Sequence, residues 1–124
     1  MQLNATGMVR LTHPATETVL AESLEAPRTF FGRGLGLMFR RGLRPGHGML
    51  IKPCNGIHMF FMRFAIDAVF VDGHDRVRSV HRRLRPWVGM VPLVPGAKAV
   101  VELPAGTLDG IQLTAGEQLR FEAA

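Results

Sequence analysis

The segment Ala65-Ile66-Asp67-Ala68-Val69-Phe70-Val71 constrains the fold more than any other part of this chain. Side chains alternate across a strand, so Ile66, Ala68 and Phe70 line one face while Asp67, Val69 and Val71 line the other. Both faces are largely apolar, which is the pattern of a central strand covered above and below. Asp72-Gly73 follows as a tight-turn signal, and Arg76–Arg82 reads as the antiparallel return. Val77 and Val80 are the apolar residues of that return, which predicts one solvated face. The chain must therefore supply further strands beside this pair and a layer on each side of it.

The rest of the sequence supplies them. Met8–Leu11 and Thr18–Leu24 flank the turn-like His13-Pro14-Ala15-Thr16 and predict a hairpin. Met49–Lys52 reads as a strand stopped by Pro53-Cys54-Asn55-Gly56, and Ile57–Met62 as the next extended run. Lys98–Leu103 is a strand ended by Pro104, Ala105–Gly110 a turn, and Gln118–Phe121 the closing strand. Between Pro27 and Phe39 the apolar residues recur at near-helical spacing. Gly32, Gly34 and Gly36 each cost about 1 kcal/mol against alanine there, so the expectation is one short helix frayed at the glycines. Pro86 to Pro95 has three prolines and no clear period; it reads as a long ordered loop packed by Trp87, Met90 and Leu93, of a length that is often functional. The fold class expected is mainly β: a single domain spanning 1–124, a small sandwich or barrel of about seven short strands.

Composition excludes several classes. At 124 residues and 47% hydrophobic, the chain can bury a working core and is not disordered. It has no apolar run long enough to span a bilayer. The start, Met1-Gln2-Leu3-Asn4-Ala5-Thr6-Gly7, lacks the basic-then-apolar form of a secretory signal, so a cytoplasmic location is expected, with export the alternative if a leader has been removed. Cys54 is the single cysteine, which excludes an internal disulfide.

Asp67 is the most informative polar residue, because its strand points it at least partly inward. A buried carboxylate must be hydrogen-bonded, paired or neutral. It either serves a site or holds a loop through backbone N–H groups. His58 and Met62 share a face of their run, and His58 could reach Asp67 to form an acid–base pair; equally, a backbone carbonyl could satisfy it. Glu102 shares a face with Lys98 and Val100. It reads as the outward member of a half-exposed strand or as a second buried carboxylate. Two carboxylates and a histidine suffice for glycoside-type acid–base chemistry or a hard metal site, given the right separation. Cys54 and His58 have C-x3-H spacing, yet zinc needs more ligands than lie close by. The seven methionines are scattered and read as core fillers rather than copper ligands. Arg33-Gly34-Leu35-Gly36 lacks the spacing and the Lys-Ser/Thr pair of a phosphate loop. No cofactor or metal is expected.

The formal charge is +5, and arginines cluster at Arg33, Arg40, Arg41 and Arg44 and again at Arg76, Arg78, Arg82, Arg83 and Arg85. Such a surface attracts anions, although a charge run is more often a plain solvated face. Nucleic-acid binding is disfavoured: base stacking asks for exposed aromatics among the charges, there is no tyrosine, and the phenylalanines sit mostly in core-like runs.

Three stretches together resemble one family. They are Gly36-Leu37-Met38-Phe39-Arg40; the run from Ile57-His58 through Met62-Arg63-Phe64 to Ile66–Asp72; and Val101-Glu102-Leu103-Pro104-Ala105-Gly106-Thr107. Gly116-Glu117 adds a weaker fourth match. In this order and spacing they resemble the DUF192 family of small bacterial and archaeal proteins, over roughly residues 8 to 122. The resemblance implies a mainly-β domain of unassigned function with a short helix near the first motif. Many such relatives carry an export or lipoprotein leader. The match falls on Met38, Met62, Asp67, Glu102 and Gly106.

The expected function is a small binding domain. Its partly buried polar pocket for an anionic small molecule or peptide would use Asp67, His58, Met62, Glu102, Arg40 and Met38, with arginine forks suited to carboxylate or phosphate. The first rival is a hydrolase using Asp67, His58 and Glu102, which must then converge in an open cleft. The second is a nonspecific nucleic-acid binder acting through the arginine clusters.

Overall fold

A computed structural model describes residues 8–27, 37–38 and 40–124. Nine strands are present among them: β1 (Met8–His13), β2 (Thr18–Glu25), β3 (His47–Ile51), β4 (Ile57–His58), β5 (Ile66–Val71), β6 (Val77–Leu84), β7 (Met90–Val91), β8 (Ala99–Pro104) and β9 (Arg120–Ala123). The apolar–apolar segment is β5, and all six of its side chains are buried. It lies between β6 and β8 in a seven-stranded sheet of order β6-β5-β8-β3-β2-β1-β9. Every neighbouring pair is antiparallel except β2 with β3.

The sheet curls until its outer strands meet. A bridge between Arg76 and Gln118 joins the chain just before β6 to the chain just before β9. The Val77 amide donates to the Glu117 carbonyl at 2.8 Å and the Gly116 amide to the Val77 carbonyl at 2.7 Å. This turns the sheet into a half-barrel closed at one end and limits the unpaired edge it exposes.

Alternation along β5 and β8 then separates two cores. The inner face carries Val69, Val71, Val101 and Leu103 against Val9, Leu11, Leu24 and Leu119, with Leu108 as a plug. The outer face carries Ile66, Ala68, Phe70 and Val100 against Met49, Met59, Met62, Val91 and Val94. The segments between β3 and β5 and between β6 and β8 fold over this outer face. They meet in a second, two-stranded sheet, the β4–β7 ribbon, through the pairs Ile57↔Val91 and His58↔Met90.

The hairpin expected near the N-terminus is β1–β2. Two expectations change. The Ile57–Met62 run is extended only at Ile57–His58; residues 60–61 turn, closed by the Met62 amide on the Met59 carbonyl at 3.0 Å. The loop from Pro86 to Pro95 is ordered and contains β7, but Val91 and Val94 pack it down while Trp87, Met90 and Leu93 point outward. The expected short helix lies almost wholly outside the described residues, which include a turn at Leu37–Met38 and no helix.

Candidate functional site

Asp67 is fully buried, and its burial is explained by a bulge. Between the pairs Ile66↔Leu84 and Ala68↔His81, β6 has two residues opposite the single Asp67. Arg83 of that pair adopts a left-handed φ of 53°. Its amide donates to Asp67 Oδ1 at 2.9 Å. Asp67 Oδ2 accepts from the amides of Gly106 at 3.2 Å and Leu108 at 2.9 Å. One carboxylate thus satisfies three N–H groups where water cannot reach. It ties the β6 bulge to the turn that seats Leu108 in the half-barrel. Gly106 has a φ of +95°, which suits glycine alone. The Arg83 side chain closes the same corner from outside by pairing with Asp109.

Glu102 faces the other way. Its register partners are Ala68 on β5 and Met49 on β3, so it shares the outer-core layer with Met59 and Met62. It is buried rather than outward, which corrects the half-exposed reading. Its Oε1 has no hydrogen-bond partner. Burial pushes its carboxyl up to about 7. Burial also lowers His81, which shares this face across Ala68, and raises the Cys54 thiol, with the Glu102 charge a smaller contribution.

His58 is exposed on the ribbon, where its Nδ1 accepts from the Phe60 amide at 3.2 Å. Asp67 and Glu102 therefore lie on opposite faces of the sheet and His58 on the surface. The three do not converge, so the acid–base set required by the hydrolase reading is not assembled. Of the other candidates, Met62 is buried in the outer core and Met38 packs against it. Arg40 is exposed and held by Glu25 at 2.5 Å, beside a depression of about 310 Å³ lined also by Leu43, Arg44 and His47. Among the described residues no three His, Cys, Asp or Glu side chains are grouped to hold a metal ion.

The structure adds a feature that sequence reasoning missed. The tip and outer side of the ribbon expose Phe60, Phe61, Trp87, Val88 and Met90, with Trp87 at 52% and Val88 at 69%. The Phe61 and Trp87 rings meet at 5.0 Å, and those of His58 and Phe60 at 4.9 Å. No local signal marks them: β5 shows that adjacent apolar residues can both be buried when each face of a strand is covered. The segments 55–66 and 82–101, which build the ribbon, also contain no Asp or Glu, but do contain Arg63, Arg82, Arg83, Arg85 and Lys98. The Arg82 side chain donates to the Ile111 carbonyl and Arg83 pairs with Asp109, whereas Arg63 and Arg85 are exposed, each two residues along the chain from a ring of the tip. The expectation that phenylalanines sit in the core thus fails for Phe60 and Phe61.

Comparison with known proteins agrees with this architecture. The DUF192 profile, described as Uncharacterized ACR, matches residues 11–121. A UPF0127 protein of Thermococcus sibiricus is 35% identical over 99 residues, spanning 76% of this chain and 62% of that protein, so the alignment covers less than two thirds of that relative's length. A UPF0127 protein of Pyrococcus furiosus is 34% identical over 98 residues, 74% of this chain and 80% of its own. The crystal structure of a candidate transcription regulator from Sinorhizobium meliloti superposes with a TM-score of 0.77 at 26% identity, over 98% of this chain and 97% of that one. A protein of unknown function from Novosphingobium aromaticivorans, 22% identical, shares the fold with a TM-score of 0.76 over 96% of this chain and 91% of its own.

Proposed function

Since this chain belongs to the DUF192 family, for which no activity is assigned, we propose from its geometry that it is a binding domain. Its recognition face is the β4–β7 ribbon and its partner is anionic. The observation that carries this reading is the exposed aromatic tip set among arginines in two segments free of acidic residues. Large exposed apolar patches rimmed by polar groups mark interaction surfaces, and arginine beside an aromatic anchor is the common composition of binding hot spots. Of the residues singled out in the sequence, His58 belongs to this face. Met62 and Glu102 lie in the buried layer beneath it, with Met38 packed against that layer, and Asp67 braces the sheet. Arg40 belongs to the separate depression near His47, where Glu25 already engages it. That ion pair favours the ribbon over the depression as the anion-binding surface.

Retention on a dextran sulfate column against rising salt tests the reading. Arg63→Gln combined with Arg85→Gln is expected to elute at lower salt than wild type. It should also elute earlier than Arg10→Gln combined with Arg120→Gln, which removes the same charge from β1 and β9. Coelution of the two double variants would reduce the ribbon to ordinary surface basicity.

A further inference from the structure

We infer that the partner of the ribbon face is an anionic phospholipid bilayer, with the aromatic tip entering the interface between headgroups and acyl chains. The inference rests on the reading of the ribbon as an anion-recognising surface and specifies what lies opposite it.

Three observations select a lipid surface. The first is the kind of apolar group exposed. Beside the rings of Phe60, Phe61 and Trp87 stand the aliphatic side chains of Val88 and Met90, with Leu93 a few residues beyond, at exposures of 69%, 52% and 62%. Stacked bases would use the rings and leave the aliphatic groups in water; hydrocarbon receives both. Tryptophan and phenylalanine are also the side chains that settle at bilayer interfaces.

The second observation is how the tip is held. Phe61 and Trp87 have left-handed φ values of 66° and 69°, a conformation that non-glycine residues rarely adopt. Backbone bonds fix it: the Trp87 amide donates to the Met59 carbonyl at 2.8 Å, the Met59 amide to Gly89 at 2.9 Å, and the Gly89 amide to Arg85 at 2.9 Å. Met59 itself is fully buried in the outer core. The hydrophobe is anchored while its neighbours project, so the face is preorganised and little ordering remains for binding.

The third observation is charge. Arg63 and Arg85 are exposed and stand two residues along the chain from Phe61 and Trp87, and segments 55–66 and 82–101 contain no carboxylate to repel a negative surface. Long arginine stems can lie along apolar groups while their guanidinium heads reach phosphate.

Trp87 is the only tryptophan, so its fluorescence reports on the tip directly. The experiment mixes the protein with vesicles of equimolar phosphatidylcholine and phosphatidylglycerol, with phosphatidylcholine vesicles, and with a single-stranded oligothymidylate. A blue shift of Trp87 and cosedimentation with the mixed vesicles alone support the inference. Arg63→Gln with Arg85→Gln should weaken partitioning about thirty-fold, from roughly one unit of headgroup attraction per arginine. Val88→Asp should also release the protein from vesicles while leaving its urea unfolding midpoint unchanged. Cosedimentation without a blue shift and insensitive to Val88→Asp would overturn insertion. So would Trp87 quenching by the oligonucleotide with no vesicle binding. If vesicles fail but dextran sulfate retention still depends on Arg63 and Arg85, the lipid is wrong and the anion-recognition reading stands. If that dependence is absent as well, both fall.

Discussion

Asp67 and Glu102 sit on adjacent strands and one register step apart, yet the sheet treats them oppositely. Asp67 on the inner face accepts from three backbone amides; Glu102 on the outer face has an oxygen that accepts from none. Asp67→Ala should therefore lose about 3–5 kcal/mol in urea unfolding, since several buried donors are left unpaired at once. Glu102→Gln should do the reverse, in a pH-dependent way. The folded carboxyl is raised from 4.5 to about 7, so the native state holds its proton more tightly than the unfolded chain does. Wild-type stability then falls as pH rises across that window, by about 3 kcal/mol in total. The variant lacks this fall, so it should match wild type below the window and exceed it above. Parallel pH profiles for the two proteins would show that Glu102 is hydrated after all. The inward direction of Asp67 was readable from alternation in β5. The burial of Glu102 was not, because nothing local to β8 shows that Met59, Met62 and Val94 fold over that face.

At the scale of elements, the ribbon is the part that sequence patterning misjudged. Ile57–Met62 looks like a strand because it is apolar apart from His58, but it turns after His58 to bury Met59 and Met62 while Phe60 and Phe61 stay outside. Gly89 makes the crossing possible: a Cβ there would lie 2.8 Å from Met59 Cγ and 2.9 Å from the Arg85 carbonyl oxygen. Met59 is flexible, but that carbonyl is held by the Gly89 amide itself. Gly89→Ala is expected to cost about 1–3 kcal/mol as an overpacking change and to alter the near-ultraviolet circular dichroism of Trp87. An unchanged spectrum and midpoint would mean that the tip is not clamped as described. By contrast β1, β2, β5, β6 and β8 were legible within a residue or two, since turns at Pro14, Asp72-Gly73 and Pro104 delimit them.

For the molecule as a whole, closure of the half-barrel depends on few contacts. Besides the bridge to Arg76, the Gln118 side chain donates to the carbonyls of His74 at 2.8 Å and Leu119 at 2.9 Å. Gln118→Ala should lose about 1–2 kcal/mol and speed amide hydrogen exchange at Val77 and Leu119, with central β5 and β8 still protected. Unchanged exchange rates at those edge amides in the variant would show that closure does not need Gln118. The surplus of positive charge is likewise decided at this scale. Arg78 donates to the Pro95 carbonyl, Arg82 to Ile111, and Arg83 pairs with Asp109. Much of the second arginine cluster is engaged in structure; its last member, Arg85, is exposed, as is Arg63 outside the cluster.

What the amino-acid order determined by itself was the mainly-β character, the central strand apolar on both faces, the inward Asp67 and the family motifs. Each of these depends on alternation, turn residues or short spacing, which act along a few neighbouring residues. The tertiary structure decided which layer covers each face, that Asp67 and Glu102 are separated by the sheet, and that Phe61 and Trp87 meet at an exposed tip next to Phe60. Those outcomes depend on packing between segments distant in the chain, where burial is settled by the sum of contacts and no local pattern records it.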